Sequence, residues 1–183
     1  MSCRSAILID NFLDQSKFDN LSAKVAASDA YNTTTVQDLR DDLFTEVYTA
    51  VFDRLKEVGL HQPHFDESVK LFGYNQFRPA NEGYGNFNGP HFDHGGYVFY
   101  IHPHWDESWE GKIKITNAEV EEYRNGIFAK PNRFIWIQPG TYHDVTTTSS
   151  NTTHARVANI AFLGGEINQD PVGIDFINIS TTT

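Results

Sequence analysis

The sequence predicts a mainly β fold with helices gathered near its N-terminus. Three observations carry this. Residues 36–58 hold an apolar stripe at helical spacing. After Gly59 that spacing ends, and short aromatic and β-branched runs follow, separated by Gly, Pro and Asn. Aromatic residues reach 14% of the 183 residues, a content that favours strands and a lined pocket. Several short strands with turn signals between them point to a sandwich, a jelly roll or a barrel.

Taken in order, Ala6-Ile7-Leu8-Ile9 reads as a short strand. Asp14 caps a helix over 15–27, with Leu13 and Phe18 at the two positions of a hydrophobic staple. A second helix is expected over 35–58. Thr34 and Gln37 form a capping-box pattern, and Gly59 can close the end. Val36, Leu39, Leu43, Val47, Val51, Leu55 and Val58 would make its one apolar face and pack it on a sheet. Strands are then expected over 69–77, 97–102, 112–116, 133–137, 142–146, 154–163 and 174–179. The glycine-dense stretch 83–96 reads as a loop, and loops on rigid sheets often carry function.

Composition narrows the function classes. The net charge of −10 repels a phosphate backbone, so nucleic acid is not an expected partner. The single cysteine, Cys3, excludes an intrachain disulfide and any thiolate zinc site, so a metal here must use His and carboxylate ligands. The apolar run near the start is too short for a signal peptide or a membrane span. A soluble, cytoplasmic protein with no membrane partner is expected. Its oligomeric state is not legible.

The eight histidines supply the first chemical signal. His-x-Asp on a strand puts both side chains on one face, because the strand repeat is two residues. The pattern occurs at His64-Phe65-Asp66, His91-Phe92-Asp93 and His104-Trp105-Asp106, where roughly 0.6 such pairs would arise by chance. His64 lies in a polar linker and His104 in a hairpin-like loop. Only His91-x-Asp93 leaves the glycine-rich loop for a strand-rich region with an isolated histidine downstream, His143. Two histidines and one carboxylate on one face, with other positions open, make the facial triad of a non-haem Fe(II) site. Such a site can take a bidentate 2-oxo acid and then O2. A second carboxylate on that acid needs a cation. In the strand over 154–163, alternation sets Arg156 with Ala158, Ile160 and Phe162 on one otherwise apolar face, where a bidentate Arg–carboxylate pair would orient the acid.

These segments together resemble the Fe(II)- and 2-oxoglutarate-dependent dioxygenases, in their prolyl 4-hydroxylase-like branch. The opening Ala6-Ile7-Leu8-Ile9-Asp10-Asn11-Phe12-Leu13 is similar to the strand that begins this family. Tyr100-Ile101-His102-Pro103-His104-Trp105 through Glu110-Gly111-Lys112-Ile113 is similar to its "YLn..W....GG.L" strand pair. Pro131-Asn132-Arg133-Phe134-Ile135-Trp136, followed by Tyr142-His143-Asp144-Val145, resembles its "P..nrlv.F....H.V" segment.

The resemblance covers nearly the whole chain and implies one domain over 1–183. Residues 1–66 would be an N-terminal strand and support helices, and 67–183 a double-stranded β-helix core of the jelly-roll, cupin-like kind. It implies that His91, Asp93 and His143 hold Fe(II) and that Arg156 binds the C5 carboxylate of 2-oxoglutarate. A tyrosine on the strand before the first ligand would assist; Tyr74 is the nearest candidate and Tyr84 the next. Tyr100 and Trp136 are pocket-wall candidates, or equally core aromatics.

The implied reaction hydroxylates a C–H bond with O2 and 2-oxoglutarate, releasing succinate and CO2, with ascorbate as an accessory reductant. The implied substrate is a prolyl residue in a protein or peptide. A free amino acid hydroxylated in the same way, or a metal-binding jelly-roll module without oxygenase activity, is the alternative. Two departures from the family pattern stand out: Glu110 replaces the first glycine of Gly-Gly, and the 13 residues from His143 to Arg156 make a longer spacing than usual. The polar tract 147–153 can absorb the second as a loop. His154 is a rival near the same strand end, but a neutral imidazole clamps a carboxylate poorly. Residues 79–96 are expected to form a lid.

Overall fold

Two helices, a six-stranded antiparallel sheet and a two-stranded antiparallel sheet are stacked in that order. The structure, a computed structural model, describes residues 6–59, 73–80, 95–116, 118, 120–137 and 141–162. The elements are β1 (Ala6–Ile9), α1 (Gln15–Ala27), β2 (Gln37–Leu39), α2 (Asp42–Glu57), β3 (Tyr74–Arg78) and β4 (Gly96–Tyr100). They continue with β5 (Ile113–Ile115), a short α3 (Glu121–Asn125), β6 (Phe134–Ile137), β7 (His143–Val145) and β8 (Arg156–Phe162). The large sheet runs β1-β6-β4-β8-β3-β2 and the small one pairs β5 with β7. From β4 to β8 the chain alternates between the two sheets, strand by strand. That alternation winds two antiparallel ribbons into a double-stranded β-helix, the jelly-roll solution to a sheet with two apolar faces.

The strand repeat sorts the large sheet into two faces. Ile7, Ile9, Phe77, Tyr97, Phe99, Phe134, Trp136 and Val157 pack with Phe18, Leu21, Val25, Val47, Val51 and Leu55 of the helices. The other face gives Tyr100, Ile135, Ile137, Ala158 and Ile160 to a second core, closed by Ile113, Ile115 and Val145 of the small sheet. Trp136 is therefore a core aromatic of the helix side rather than a pocket wall, whereas Tyr100 lies inside the β-helix.

Helix α1 starts where expected, with buried Leu13 and Phe18 at its entry, although the Asp14 side chain makes no capping hydrogen bond. Helix α2 differs. It begins at Asp42, not near 35, and Asp41 caps it by accepting from the Phe44 N–H at 2.9 Å. Residues 37–39 form the edge strand β2, with Gln37 opposite Phe77 and Leu39 opposite Asn75. The Thr34–Gln37 box is not formed; the Thr33 hydroxyl instead accepts from Thr35 N and Gln37 Nε2. Pairing with β3 satisfies backbone groups that a helix would otherwise use, and Val36 is left 38% exposed. From Leu43 onward the stripe packs as its spacing predicts. The other strands match expectation to within about two residues, except that β3, expected from 69, begins at Tyr74. Residues 69–72 and 174–179 lie outside the described residues.

Short polar links fix the sheet corners. Asn132, at φ 59°, accepts from Leu13 N and donates to Leu13 O, both at 2.9 Å. Arg133 grips Asp10 with two bonds of 2.6 and 2.9 Å, and that hydrogen-bonded guanidinium holds the Asp10 carboxyl below its usual range. His102 is fully buried beneath β8. Its Nε2–H donates to Ala129 O at 2.6 Å, and its Nδ1 accepts from Val157 N at 3.1 Å. Burial pushes its pKa down to about 3, against the pull of the Ala129 carbonyl. Below the ordinary histidine value the unfolded chain takes up a proton that the folded chain refuses. The stability His102 contributes is thus complete above about pH 6.5 and is lost as pH falls toward 3. Urea unfolding at pH about 7 and about 5 should show this acid loss, and a much flatter dependence in His102→Gln.

Candidate functional site

The cavity of interest lies inside the β-helix, between the inner face of the large sheet and the small sheet. His143 and Val145 of β7, Ile113 of β5, Gln76 of β3, Gly96 and Val98 of β4, and Arg156 and Ile160 of β8 line it. Antiparallel pairing sets these side chains together. Val98 stands opposite Ile160, Tyr100 opposite Ala158, and Arg78 opposite Arg156, so alternate residues of three neighbouring strands share one wall.

His143 is 7% exposed. Its Nδ1 lies 3.0 Å from the Thr141 carbonyl. A carbonyl only accepts, so Nδ1 carries the proton and the lone pair is on Nε2. That bond fixes the tautomer and the ring orientation of His143, as the partners of metal-bound histidines do in general.

Arg156 is 3% exposed and projects from the first residue of β8. One Nη1–H donates to Gly111 O at 2.7 Å, and the guanidinium lies 5.8 Å from the centroid of the Tyr100 ring. Its Nε is buried and meets no hydrogen-bond partner among the described residues, and no carboxylate among them pairs with it. The Tyr100 hydroxyl is likewise buried without a partner among them. Burial pushes the phenol's pKa up, more than Arg156 pulls it down, so it stays a neutral O–H donor. A buried guanidinium and, on the ring packed against it, a buried hydroxyl, each with a donor unspent among the described residues, are costly unless an anion completes the set. The donor chemistry therefore fits a carboxylate.

The neighbouring Arg78 is engaged differently. Its Nε and Nη2 donate to Gln76 Oε1 at 3.3 and 3.0 Å, and Gln76 Nε2 donates to Asp38 at 3.2 Å. Tyr74 sits on the same face opposite Ile160, four residues along β3 from Arg78, so it stands roughly 13 Å along the strand from the level of Arg156. Of the described tyrosines considered, Tyr100 is the one against Arg156. Sequence reading placed it only as a wall candidate; the missed signal was parity, since β4 pairs with β8 and Tyr100 shares the inner face with Ala158 and Arg156. His91, Asp93 and Tyr84 lie outside the described residues, as do most of 79–96 and the His64–Asp66 pair. Gly95, two positions after Asp93 in the chain, lines the same cavity as His143.

The remaining histidine candidates have other partners. Asp106 is exposed and caps a 3-10 turn by accepting from the Ser108 N–H and hydroxyl, while His104 meets the edge of Trp109. His154 stacks on Tyr31 with centroids 4.4 Å apart and touches Trp109 edge-on, within an aromatic cluster. Among the described residues no helix is long and apolar enough to cross a membrane.

No family model and no curated protein matches the chain by sequence. Solved structures do match it in fold. A Pseudomonas putida prolyl-4-hydroxylase is similar at a TM-score of 0.57 and 15% identity, over 88% of this chain and 94% of that one. The viral collagen prolyl hydroxylase of Paramecium Bursaria Chlorella virus-1, solved as a 2OG complex, is similar at 0.52 and 10%, over 89% and 97%. NgTET1 in complex with 5mC DNA is similar at 0.52 and 13%, over 86% and 71%. The chain has the double-stranded β-helix fold of these proteins.

Proposed function

We propose that this protein is an Fe(II)- and 2-oxoglutarate-dependent oxygenase that hydroxylates a C–H bond, with a prolyl residue of a protein or peptide as its substrate. The observation that carries the reading is Arg156, a buried guanidinium with an unspent Nε–H, lining one cavity with an oriented His143, while the Tyr100 ring packed against that guanidinium carries a buried hydroxyl without a partner among the described residues. The fold supports it, because two of the similar structures are prolyl hydroxylases, one of them a 2OG complex. The similar structure bound to DNA shows that the fold alone does not choose the substrate. The net charge of −10 argues against nucleic acid and favours a neutral or basic peptide.

In this reading His143 gives its Nε2 lone pair to the metal, joined by His91 and Asp93. Arg156 and the Tyr100 hydroxyl, rather than Tyr74, hold the far carboxylate of 2-oxoglutarate. This fixes which end of the acid faces His143. Val98, Ile113, Val145 and Ile160 keep water from the space between. Bound Fe(II) would supply the redox chemistry by which O2, 2-oxoglutarate and a C–H bond become succinate, CO2 and an alcohol.

The test is incubation with Fe(II), ascorbate, 2-oxoglutarate and basic proline-containing peptides in air, following succinate and peptide mass. The expected result is succinate in step with a one-oxygen mass gain on proline. Oxidation of free proline but of no peptide would move the substrate to small molecules. No succinate with either would overturn the oxygenase reading.

A further inference from the structure

We propose that the Glu110–Gly111 turn is the device that aims Arg156, and that Gly111 is a positioning residue for selecting a 2-oxo diacid over a 2-oxo monoacid. The inference rests on the oxygenase reading above and adds how its co-substrate is chosen.

Arg156 has one fixed bond among the described residues, from Nη1 to Gly111 O at 2.7 Å. Everything that sets that carbonyl therefore sets the guanidinium. The turn is unusual: Glu110 and Gly111 are both left-handed, at φ 57° and 69°. Glu110 stands where the resembled strand pair carries the first of two glycines, and it adopts the backbone that glycine favours. The turn is held from both sides. Trp105 Nε1 donates to Glu110 O at 3.0 Å. Glu110 bridges to Thr148, Ser149 N donates to Trp109 O at 2.9 Å, and Lys112 N donates to Thr146 Oγ1 at 2.9 Å.

Tight contact adds to the backbone strain of any side chain at 111, because Thr148 and the Arg156 stem would have to give way to it. A Cβ there would stand 3.1 Å from Thr148 Cγ2, 3.3 Å from Arg156 Cδ and 3.5 Å from Trp105 Cζ2. The backbone of the turn thus lies directly on the Arg156 stem and grips its head through Nη1. This leaves Nε without a partner among the described residues, on an arginine that lines the cavity and packs against the Tyr100 ring. A lysine could not be held in this way, because the grip uses one arm of a planar fork and leaves the others for ligand.

The test compares binding of 2-oxoglutarate and 2-oxobutyrate, which lacks the distal carboxylate, to Mn(II)-loaded protein by calorimetry. Wild type, Gly111→Ala, Trp105→Phe and Gly59→Ala are measured. Gly59 is the control: its φ of 74° gives the same backbone strain on substitution, but nothing lies within 4 Å of a Cβ there. Wild type should prefer 2-oxoglutarate by about tenfold or more, since a charge-assisted pair separates the two acids. Gly111→Ala should erase most of that preference by weakening 2-oxoglutarate alone, and Trp105→Phe should erase about half of it on a logarithmic scale. Gly59→Ala should melt earlier yet keep the wild-type preference.

An unchanged preference in both Gly111→Ala and Trp105→Phe would overturn the inference while the oxygenase reading stands. If Gly111→Ala does not fold, an unchanged preference in Trp105→Phe does so alone. Loss of preference in Gly59→Ala as well would also overturn it, by assigning the effect to general destabilisation. Absence of metal-dependent binding of either acid by wild type would remove the functional reading itself.

Discussion

Replacing His143 with alanine is expected to lower succinate formation from 2-oxoglutarate by at least about 1,000-fold, since second-shell changes alone commonly cost 10- to 100-fold at metal sites. The histidine is nearly buried, and the Thr141 carbonyl fixes its tautomer. Alanine removes an imidazole that faces the cavity and no part of the helix-side core, so the fold should survive. Far-ultraviolet dichroism and the urea midpoint check that, and His143→Gln, of similar bulk, should be as inactive. Succinate formation at the wild-type rate in either variant would place the chemistry elsewhere.

Replacing Arg156 with leucine has the second large expected effect. A charged hydrogen-bonded pair contributes about 1.5–3 kcal/mol, so KM for 2-oxoglutarate should rise about 10- to 150-fold. KM for 2-oxobutyrate should stay near its wild-type value, because that acid has nothing for the guanidinium to hold. Arg156→Lys should fall between, keeping the charge and losing the fork that spans Gly111 O and the ligand. Initial rates of succinate or propionate formation across a range of each acid give the comparison. An equal rise for both acids would mean that Arg156 supports the cavity rather than the distal carboxylate. Leucine also relieves a buried charge with no carboxylate beside it among the described residues, so the variant should be no less stable than wild type.

The legible part of this molecule was its periodicity. Strand β8 was readable because small and aliphatic residues alternate around Arg156, and the same parity correctly put the arginine with Ala158 and Ile160 on the inner wall. His143 was readable as an isolated histidine between two β-branched runs, and it does face the cavity. The start of α2 was misread because Val36 and Leu39 continue the helical spacing by coincidence. Only the partner strand β3, far away in the sequence, makes 37–39 extended. Tyr100 and Trp136 looked alike as aromatics beside strands. Their opposite fates follow from which residue of β4 or β6 faces the helices, and pairing register decides that. The grip of Gly111 on Arg156 was not readable at all. It joins a left-handed turn to a residue 45 positions later through one backbone carbonyl.

In the function proposed for it, this cavity holds 2-oxoglutarate through a metal at one end and Arg156 at the other. Anaerobic calorimetry of 2-oxoglutarate into the protein, with and without Fe(II), tests it most directly. Stoichiometric binding is expected that requires Fe(II), disappears in His143→Ala and weakens in Arg156→Leu. Binding that is indifferent to the metal and to His143, or no binding with Fe(II) present, would contradict it.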